Sequence, residues 1–241
     1  MSHNVTIKEG AFILGDAHYS HSRPQLLTFI KKIHAKELQP TQLIFMGDIF
    51  DALFGGVTHT QNENREIVTL IEEISNFIDI IYLEGNHDFN LQAIFSNIQI
   101  FKINQQPLLC SYENKKIYLA HGDYDGTLGY KVYTALIRNR GVLYILSQIN
   151  NLANNYILNR LNSYLELKND CKELSWFEEF INARSFSNYQ CDYFIEGHFH
   201  QNKTFKLKTF IYINLAAFAC NQRYFVVKSL KDKELLEEKI L

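Results

Sequence analysis

The sequence predicts an α/β fold, and two observations carry that prediction. Short apolar runs recur along the chain, and stretches with helical periodicity separate them. Each early run also ends in a turn rich in Asp, His, Asn and Gly. Such endings are expected where parallel strands deliver their carboxyl ends to a ligand crevice.

The runs can be taken in order. Ala11–Leu14 leads into Gly15-Asp16-Ala17-His18, and Leu43–Met46 into Gly47-Asp48. Ile78–Leu83 leads into Glu84-Gly85-Asn86-His87-Asp88, and Ile117–Ala120 into His121-Gly122-Asp123. Tyr193–Ile195 leads into Glu196-Gly197-His198-Phe199-His200. Their richness in Ile, Phe, Leu and Tyr marks them as buried strands. Between them, Pro24 opens a helical pattern carrying Leu26, Leu27, Ile30, Ile33 and His34. A second pattern, Glu63–Phe77, places Ile67, Leu70, Ile71, Ile74 and Phe77 at helical spacing. The late runs Thr204–Leu207, Thr209–Ile213 and Tyr224–Val227 are close enough to predict antiparallel strands of a second sheet.

The widest gap between motifs lies between His121 and His198. Much of it, from Tyr130 to Leu167, is helical in pattern and broken near Gly141, which predicts a helical cap inserted at about residues 125–190. Residues 1–241 otherwise suit one core, since 241 residues are long for one domain and short for two. The mixed-sign stretch Lys231–Lys239 is expected to be a solvated tail or helix, and His3 a solvated terminus.

Composition narrows the functional classes. A net charge of -2 gives no basic field to gather nucleic acid, so a nucleic-acid partner is not expected. Cys110, Cys171, Cys191 and Cys220 are widely spaced with no C-x-x-C pair, which predicts four free thiols and a cytoplasmic protein. No apolar run is long enough to span a bilayer, and the N-terminus lacks the pattern of a signal peptide.

The five turns together form a donor set. Asp16, His18, Asp48, Asn86, His121, His198 and His200 offer carboxylate, amide and imidazole groups without thiolate. That mixture suits two adjacent divalent metals, with Mn2+ the expected ion and Fe or Zn also compatible. Five of the nine histidines stand in these turns, each after an apolar run, so chance is a poor account of the set. Glycine precedes Asp16, Asp48, Asn86 and His198, which is expected to allow the tight turn that aims each side chain. Asp51, Asp88 and Asp123 are expected to orient those donors. His34 reads as a surface or packing residue, and His21 and His59 as loop residues near the site.

The order Asp-x-His, Gly-Asp-x-x-Asp, Gly-Asn-His-Asp, His-Gly-Asp, Gly-His-x-His resembles the calcineurin-like metallophosphoesterase superfamily over residues 11–215. The resemblance implies a four-layer αββα sandwich of two packed sheets with a two-metal site. It also implies one metal on Asp16, His18, Asp48 and His200, and another on Asp48, Asn86, His121 and His198. Asp48 then bridges, and His87 acts with it as a catalytic residue that contacts the scissile phosphate.

The segments Gly47–Gly55 and Gly85–Phe89, with the helical insertion after His121-Gly122-Asp123, are similar to the UDP-2,3-diacylglucosamine hydrolases of lipid A synthesis. Many of those enzymes carry Arg where this chain has His87. This similarity implies hydrolysis of a pyrophosphate to UMP and 2,3-diacylglucosamine 1-phosphate, with the cap holding acyl chains at a membrane surface. Asn86, His87, Tyr130, Lys131 and Arg138 are then the substrate-binding candidates. A soluble nucleotide or phosphomonoester hydrolase, and a metal-binding scaffold without turnover, are the competing readings.

Overall fold

The computed structural model of the protein describes residues 5–229, 231 and 234–241, so the reading of His3 lies outside the described residues. Two six-stranded sheets form the centre. In spatial order the first contains β14 (Leu236–Ile240), β13 (Arg223–Val227), β2 (Phe12–Leu14), β3 (Gln42–Phe45), β5 (Asp79–Leu83) and β7 (Gln99–Phe101). The second contains β1 (Val5–Thr6), β8 (Leu108–Tyr112), β9 (Lys115–Ala120), β10 (Tyr193–Glu196), β12 (Ile211–Asn214) and β11 (Lys203–Lys206).

Alternation along the strands explains why both faces of each sheet are covered. Leu43 and Phe45 of β3 face one core, whereas Ile44 and Met46 face another. In β5, Ile80 and Tyr82 share the first core, and Ile81 and Leu83 the second. That second core also takes Ile117 and Leu119 of β9 and Ile195 of β10, so it is the layer between the sheets. The first core is closed by α1 (Gln25–His34), through Leu26, Phe29, Ile30 and Ile33, and by α3 (Arg65–Ile74), through Ile67, Ile71 and Ile74. On the outer face of the second sheet, Phe194 and Tyr212 pack against Phe177 and Ile181 of α7 (Phe177–Ala183). The result is the expected helix–sheet–sheet–helix layering.

Three expectations need correction. The late strands do not form one sheet: β11 and β12 pair antiparallel, but β13 pairs with β2 in the other sheet. Closeness in sequence made them neighbours on paper, whereas their apolar faces belong to different layers. The C-terminal stretch is a strand, with Leu236 of β14 paired to Val227 and Leu235 and Leu236 buried. Its charged residues are paired rather than merely solvated, Glu237 with Lys228 and Glu238 with Arg223. The cap breaks twice: α4 (Leu128–Ile137), α5 (Arg140–Leu152) and α6 (Tyr156–Leu167) are three helices. Asn139 makes the first break by accepting the Gly141 and Val142 N–H groups, and left-handed Asn154 and Asn155 make the second.

The cap is tied to the sheet core at several points. Arg138, just after α4, donates to the Gly85 carbonyl at 2.8 Å, and Asn90 donates to the Arg138 carbonyl at 2.9 Å. Leu143 and Leu158 pack on Val57 and Phe89. Here the short ribbon of β4 (Leu53–Phe54) and β6 (Asp88–Phe89) carries the chain directly past His87, and α2 (Thr58–Glu63) follows β4. Beyond the cap, Arg23 binds the Leu165 carbonyl at 2.9 Å and the Asp170 carboxylate at 2.6 Å.

Candidate metal centre

Five strand ends from the two sheets meet in one cleft, and all seven predicted donors lie in it. Asp16, His18 and His200 place ligand atoms within 4.8 Å of one another, as do Asp48, His121 and His198. Asn86 joins the second group, its Oδ1 lying 3.3 Å from His121 Nε2. Asp48 Oδ2 also stands 3.3 Å from His121 Nε2 and 3.9 Å from His87 Nε2. A third group, His18, Asp51 and His87, abuts both, with Asp51 Oδ1 3.2 Å from His18 Nδ1.

The backbone that aims these groups is unusual. Asp16, His18, Asp48, His198 and His200 all adopt positive φ, from 46° to 63°. Each left-handed non-glycine residue costs roughly 1–2 kcal/mol, and such residues concentrate at functional sites. Cross-loop hydrogen bonds hold them. The Asp16 N–H reaches the Gly47 carbonyl and the His18 N–H the Asp48 carbonyl, both at 3.0 Å. The His198 N–H donates to the Asp16 carboxylate at 3.0 and 3.1 Å. α8 (Phe218–Asn221) adds its Phe218 and Ala219 N–H groups to the carbonyls of Gly15 and Asp16.

The glycines therefore act differently from the sequence expectation. Among those preceding the donors only Gly47 is left-handed, at φ 90°. A Cβ there would stand 2.5 Å from His121 Nδ1, one at Gly197 would stand 2.6 Å from Asp16 Oδ2, and one at Gly85 would overlap Asp48 Oδ1 and its backbone nitrogen. They make room for donors from other strands. Gly85→Ala is expected to lower kcat/KM about 10²-fold or more by displacing Asp48, since misplacements near 1 Å cost that much. Hydrolysis assays and metal content on protein with unchanged far-UV circular dichroism check this.

Imidazole tautomers follow from the second ring nitrogen. His121 Nδ1 lies 2.9 Å from the Met46 carbonyl, His200 Nδ1 2.6 Å from that of Asp170, and His87 Nδ1 3.0 Å from that of Asp51. With Nδ1–H donating to each carbonyl, all three Nε2 lone pairs point into the cleft. His198 instead offers Nδ1, 3.2 Å from His121 Nε2.

This geometry tests whether divalent cations suit the residues present. In the tautomer that Met46 imposes, the His121 Nε2 lone pair faces the Asn86 and Asp48 oxygens, an arrangement that repels unless positive charge sits among them. His18 is 1% exposed, and neither ring nitrogen has a hydrogen-bond partner among the described residues. Electrostatics show the same demand for positive charge, met by a proton on His121 where no metal supplies it. Burial works to raise the Asp48 carboxyl, yet His121 and His87 hold it well below the carboxylate range. Burial opposes protonation of His121, but Asp48 lifts that imidazole well above its ordinary value. Burial and the repulsion of His121 push His198 down to about 4. The cleft is a buried cluster of carboxylate, amide and imidazole donors, and its residues fit divalent metal ions.

The supporting carboxylates do separate work. Asp88 accepts the N–H groups of Asp48, Ile49, Phe50 and Gly85 and the Tyr82 hydroxyl, fixing the Asp48 turn. Asp123 accepts the Tyr130 hydroxyl at 3.1 Å. Asp51, which the sequence cast as an orienting group, also faces the cleft as part of the His18–His87 group.

The sequence did not single out Asp170, Gln106 or Asn214. The Asp170 carbonyl orients His200, Gln106 accepts the His121 N–H at 2.7 Å, and Asn214 binds the carbonyls of Glu196 and Gly197. None stands in a motif, and a lone Asp or amide carries no signal in sequence. Of the loop histidines, His59 lies in α2 and pairs with Glu63 at 3.1 Å, and His34 pairs with Glu73 at 2.9 Å. His21 lines a separate pocket beside Asp51.

The expectation of four free thiols is overturned. Cys171 and Cys220 form a disulfide, leaving Cys110 and Cys191 free. Folding brings their Cα atoms to 5.6 Å across 49 positions of sequence, a proximity that spacing alone does not reveal. The bond ties the segment whose Asp170 carbonyl orients His200 to helix α8, which holds the Asp16 turn.

Tyr130 with Asn86 and His87 lines a cavity of about 480 Å³, together with apolar cap residues such as Ile137, Leu143 and Leu146. Lys131 and Arg138 instead line a cavity of about 460 Å³ on the other side of α4. The five substrate-binding candidates thus divide between two chambers. Among the described residues, no helix is long and apolar enough to cross a membrane.

Comparison with known proteins gives the family. A UDP-2,3-diacylglucosamine hydrolase of Histophilus somni is 26% identical over 117 residues, covering 46% of this chain and 48% of that protein. The enzyme of the same name from Haemophilus influenzae is 27% identical over 115 residues, covering 47% and 48%. The chain spans about half the length of the curated relatives it matches. Among solved structures, Yfce, a phosphoesterase from E. coli, is 13% identical with a TM-score of 0.47, covering 95% of this chain and 98% of that one. A novel archaeal phosphodiesterase is 15% identical with a TM-score of 0.45, covering 96% and 99%. The profile described as Calcineurin-like phosphoesterase matches residues 11–202, which include all seven donors, and the chain belongs to that family.

Proposed function

We propose that this chain is a two-metal hydrolase that cuts the pyrophosphate of UDP-2,3-diacylglucosamine, releasing UMP and 2,3-diacylglucosamine 1-phosphate. Asp16, His18, Asp48 and His200 hold one ion, and Asp48, Asn86, His121 and His198 the other. Mn2+ is the proposed ion, because the donors are oxygen and imidazole without thiolate. When bound, the two cations supply positive charge against the phosphate and make a water acidic enough to attack at neutral pH.

The chain's own residues do the rest. Asp48, whose carboxylate shares a group with His121 and His198, is the proposed bridge to the second ion. His87 turns Nε2 toward the cleft while Asp51 fixes its ring, so it can donate to a phosphate oxygen or the leaving group. Attack at the α-phosphorus leaves the water oxygen on UMP, and the bridging oxygen stays with the glucosamine 1-phosphate.

The observation that carries the lipid reading is the chamber of about 480 Å³ that begins at Asn86 and His87 and continues among Phe54, Leu143, Ile157 and Leu161. Its size and apolar walls suit acyl chains, each buried methylene contributing about 0.8 kcal/mol. Tyr130 stands at its catalytic end. Leu128, Ile145, Leu152, Tyr156 and Leu167 of the cap helices are exposed, apolar side chains that would suit peripheral contact with a membrane.

UDP-2,3-diacylglucosamine is expected to be cleaved with kcat/KM at least about 10³-fold above UDP-N-acetylglucosamine, as burial of several methylenes requires. Leu146→Arg should raise KM for the acylated substrate alone. Leu146 is the better probe because Leu143 is buried against Val57, Phe89 and Leu158, where a charge would disturb the cap itself. Equal kcat/KM for the two substrates would replace this reading with a soluble nucleotide hydrolase.

A further inference from the structure

We propose that the polar chamber on the opposite side of α4 from the apolar one binds a nucleoside 5′-monophosphate, the polar half of the substrate. The proposal rests on the phosphoesterase reading above and assigns the second side of that site. The cavity is about 460 Å³, within the roughly 300–1,000 Å³ typical of small-ligand pockets.

The two chambers border the same turn, the one that carries the Asn86 donor. Glu84 borders the polar chamber, whereas Asn86 and His87 border the apolar one, and Thr134 of α4 lines both. A diester or pyrophosphate seated over the metal donors therefore has a separate place for each of its ends, with α4 as the partition. The chemistry of the two walls differs accordingly. Lys102, Lys131 and Arg138 supply three cations to the polar chamber. Glu84 is the one carboxylate of the lining and Asp123 lies 3.5 Å from Arg138 Nη2, so three cations face two carboxylates. Asn104 and Tyr124 add an amide and an aromatic ring, groups that suit the hydroxyls and flat base of a nucleoside.

The second, independent observation is Arg138 itself. Its side chain is nine-tenths buried, and Nη2 donates to the Gly85 carbonyl at 2.8 Å. Its Nε and Nη1 are buried without a hydrogen-bond partner among the described residues. A buried guanidinium with two unsatisfied donors costs stability unless an acceptor reaches it. A phosphate oxygen of a nucleotide in this chamber is such an acceptor, placed one residue from the Asn86 turn.

The test uses the full chain loaded with Mn2+, with bis(p-nitrophenyl) phosphate as a substrate too small to fill either chamber. UMP, uridine and inorganic phosphate serve as competing ligands, and calorimetry measures UMP binding directly. UMP is expected to bind at least about tenfold more tightly than phosphate, the worth of one charge-assisted contact beyond the metals. Lys102→Glu should raise the Ki of UMP about tenfold or more and leave that of phosphate within about twofold. Asn104→Asp, on an exposed 3-10 turn, should shift UMP in the same direction and covers the case in which the first variant folds poorly. UMP binding no tighter than phosphate, or a UMP Ki unmoved by both variants, overturns the proposal. Failure of the wild type to hydrolyse bis(p-nitrophenyl) phosphate with any of Mn, Zn or Fe counts against the phosphoesterase reading instead, and calorimetry with UMP still decides the chamber.

Discussion

Asp48→Ala is expected to abolish hydrolysis, with kcat reduced by more than about 10³-fold, and to lower metal content at both proposed positions. The magnitude exceeds the roughly 10²–10³-fold typical of one lost transition-state donor because a carboxylate in the bridging role proposed for Asp48 would serve two ions at once. Asp48 is 2% exposed, its Oδ2 faces His121 and His87, and its Oδ1 accepts the His87 N–H at 2.8 Å. Removing it takes away the carboxylate that faces His121 and His87, while Asp16 and Asp51 still face His200 and His18. Asp48→Asn separates charge from shape, since it keeps an acceptor for the His87 N–H while losing the anion. It should also be inactive, with far-UV circular dichroism and thermal unfolding close to wild type. Metal analysis and turnover after stepwise reconstitution provide the measurement. Wild-type turnover in either variant, or in fully chelated protein, would sink the two-metal proposal.

His87→Ala should behave in the opposite way toward metal. Its ring is held through Nδ1 by the Asp51 carbonyl, and Nε2 lies 3.9 Å from Asp48 Oδ2, at the mouth of the apolar chamber. That position suits contact with a phosphate oxygen or leaving group. The variant is expected to lose about 10²–10³-fold in kcat, as when one preorganised donor is removed, while metal content stays near wild type. Loss of both metals would instead assign His87 to the metal cage through the neighbouring His18 and Asp51. His87→Arg is an informative companion because the resemblance places Arg here in many lipid A hydrolases. Retention of most activity by that variant would tie the role of the position to donation toward phosphate.

The sequence by itself determined the α/β core and the candidate donor set. Strands with both faces buried, such as Leu43–Met46 and Ile80–Leu83, are apolar throughout and bounded by polar turns, so local composition marks them. The donors were legible because each follows its strand directly, and strand ends need no long-range information to be recognised. The tertiary structure decided what depends on contacts between distant segments. It assigned β13 and β14 to the sheet of β2, because Phe225 and Val226 pair with Ile13 and Phe12. It paired Cys171 with Cys220, and it recruited Asp170, Gln106 and Asn214, whose carbonyl or amide groups have no sequence signature. It also showed why glycine precedes the donors: a Cβ at Gly85 or Gly197 would collide with a carboxylate arriving from another strand. Above all, it divided the cap's surroundings into an apolar and a cationic chamber on either side of α4. Residues adjacent in sequence, such as Tyr130 and Lys131, point to different faces of a helix, and only the packing around that helix fixes what each face meets.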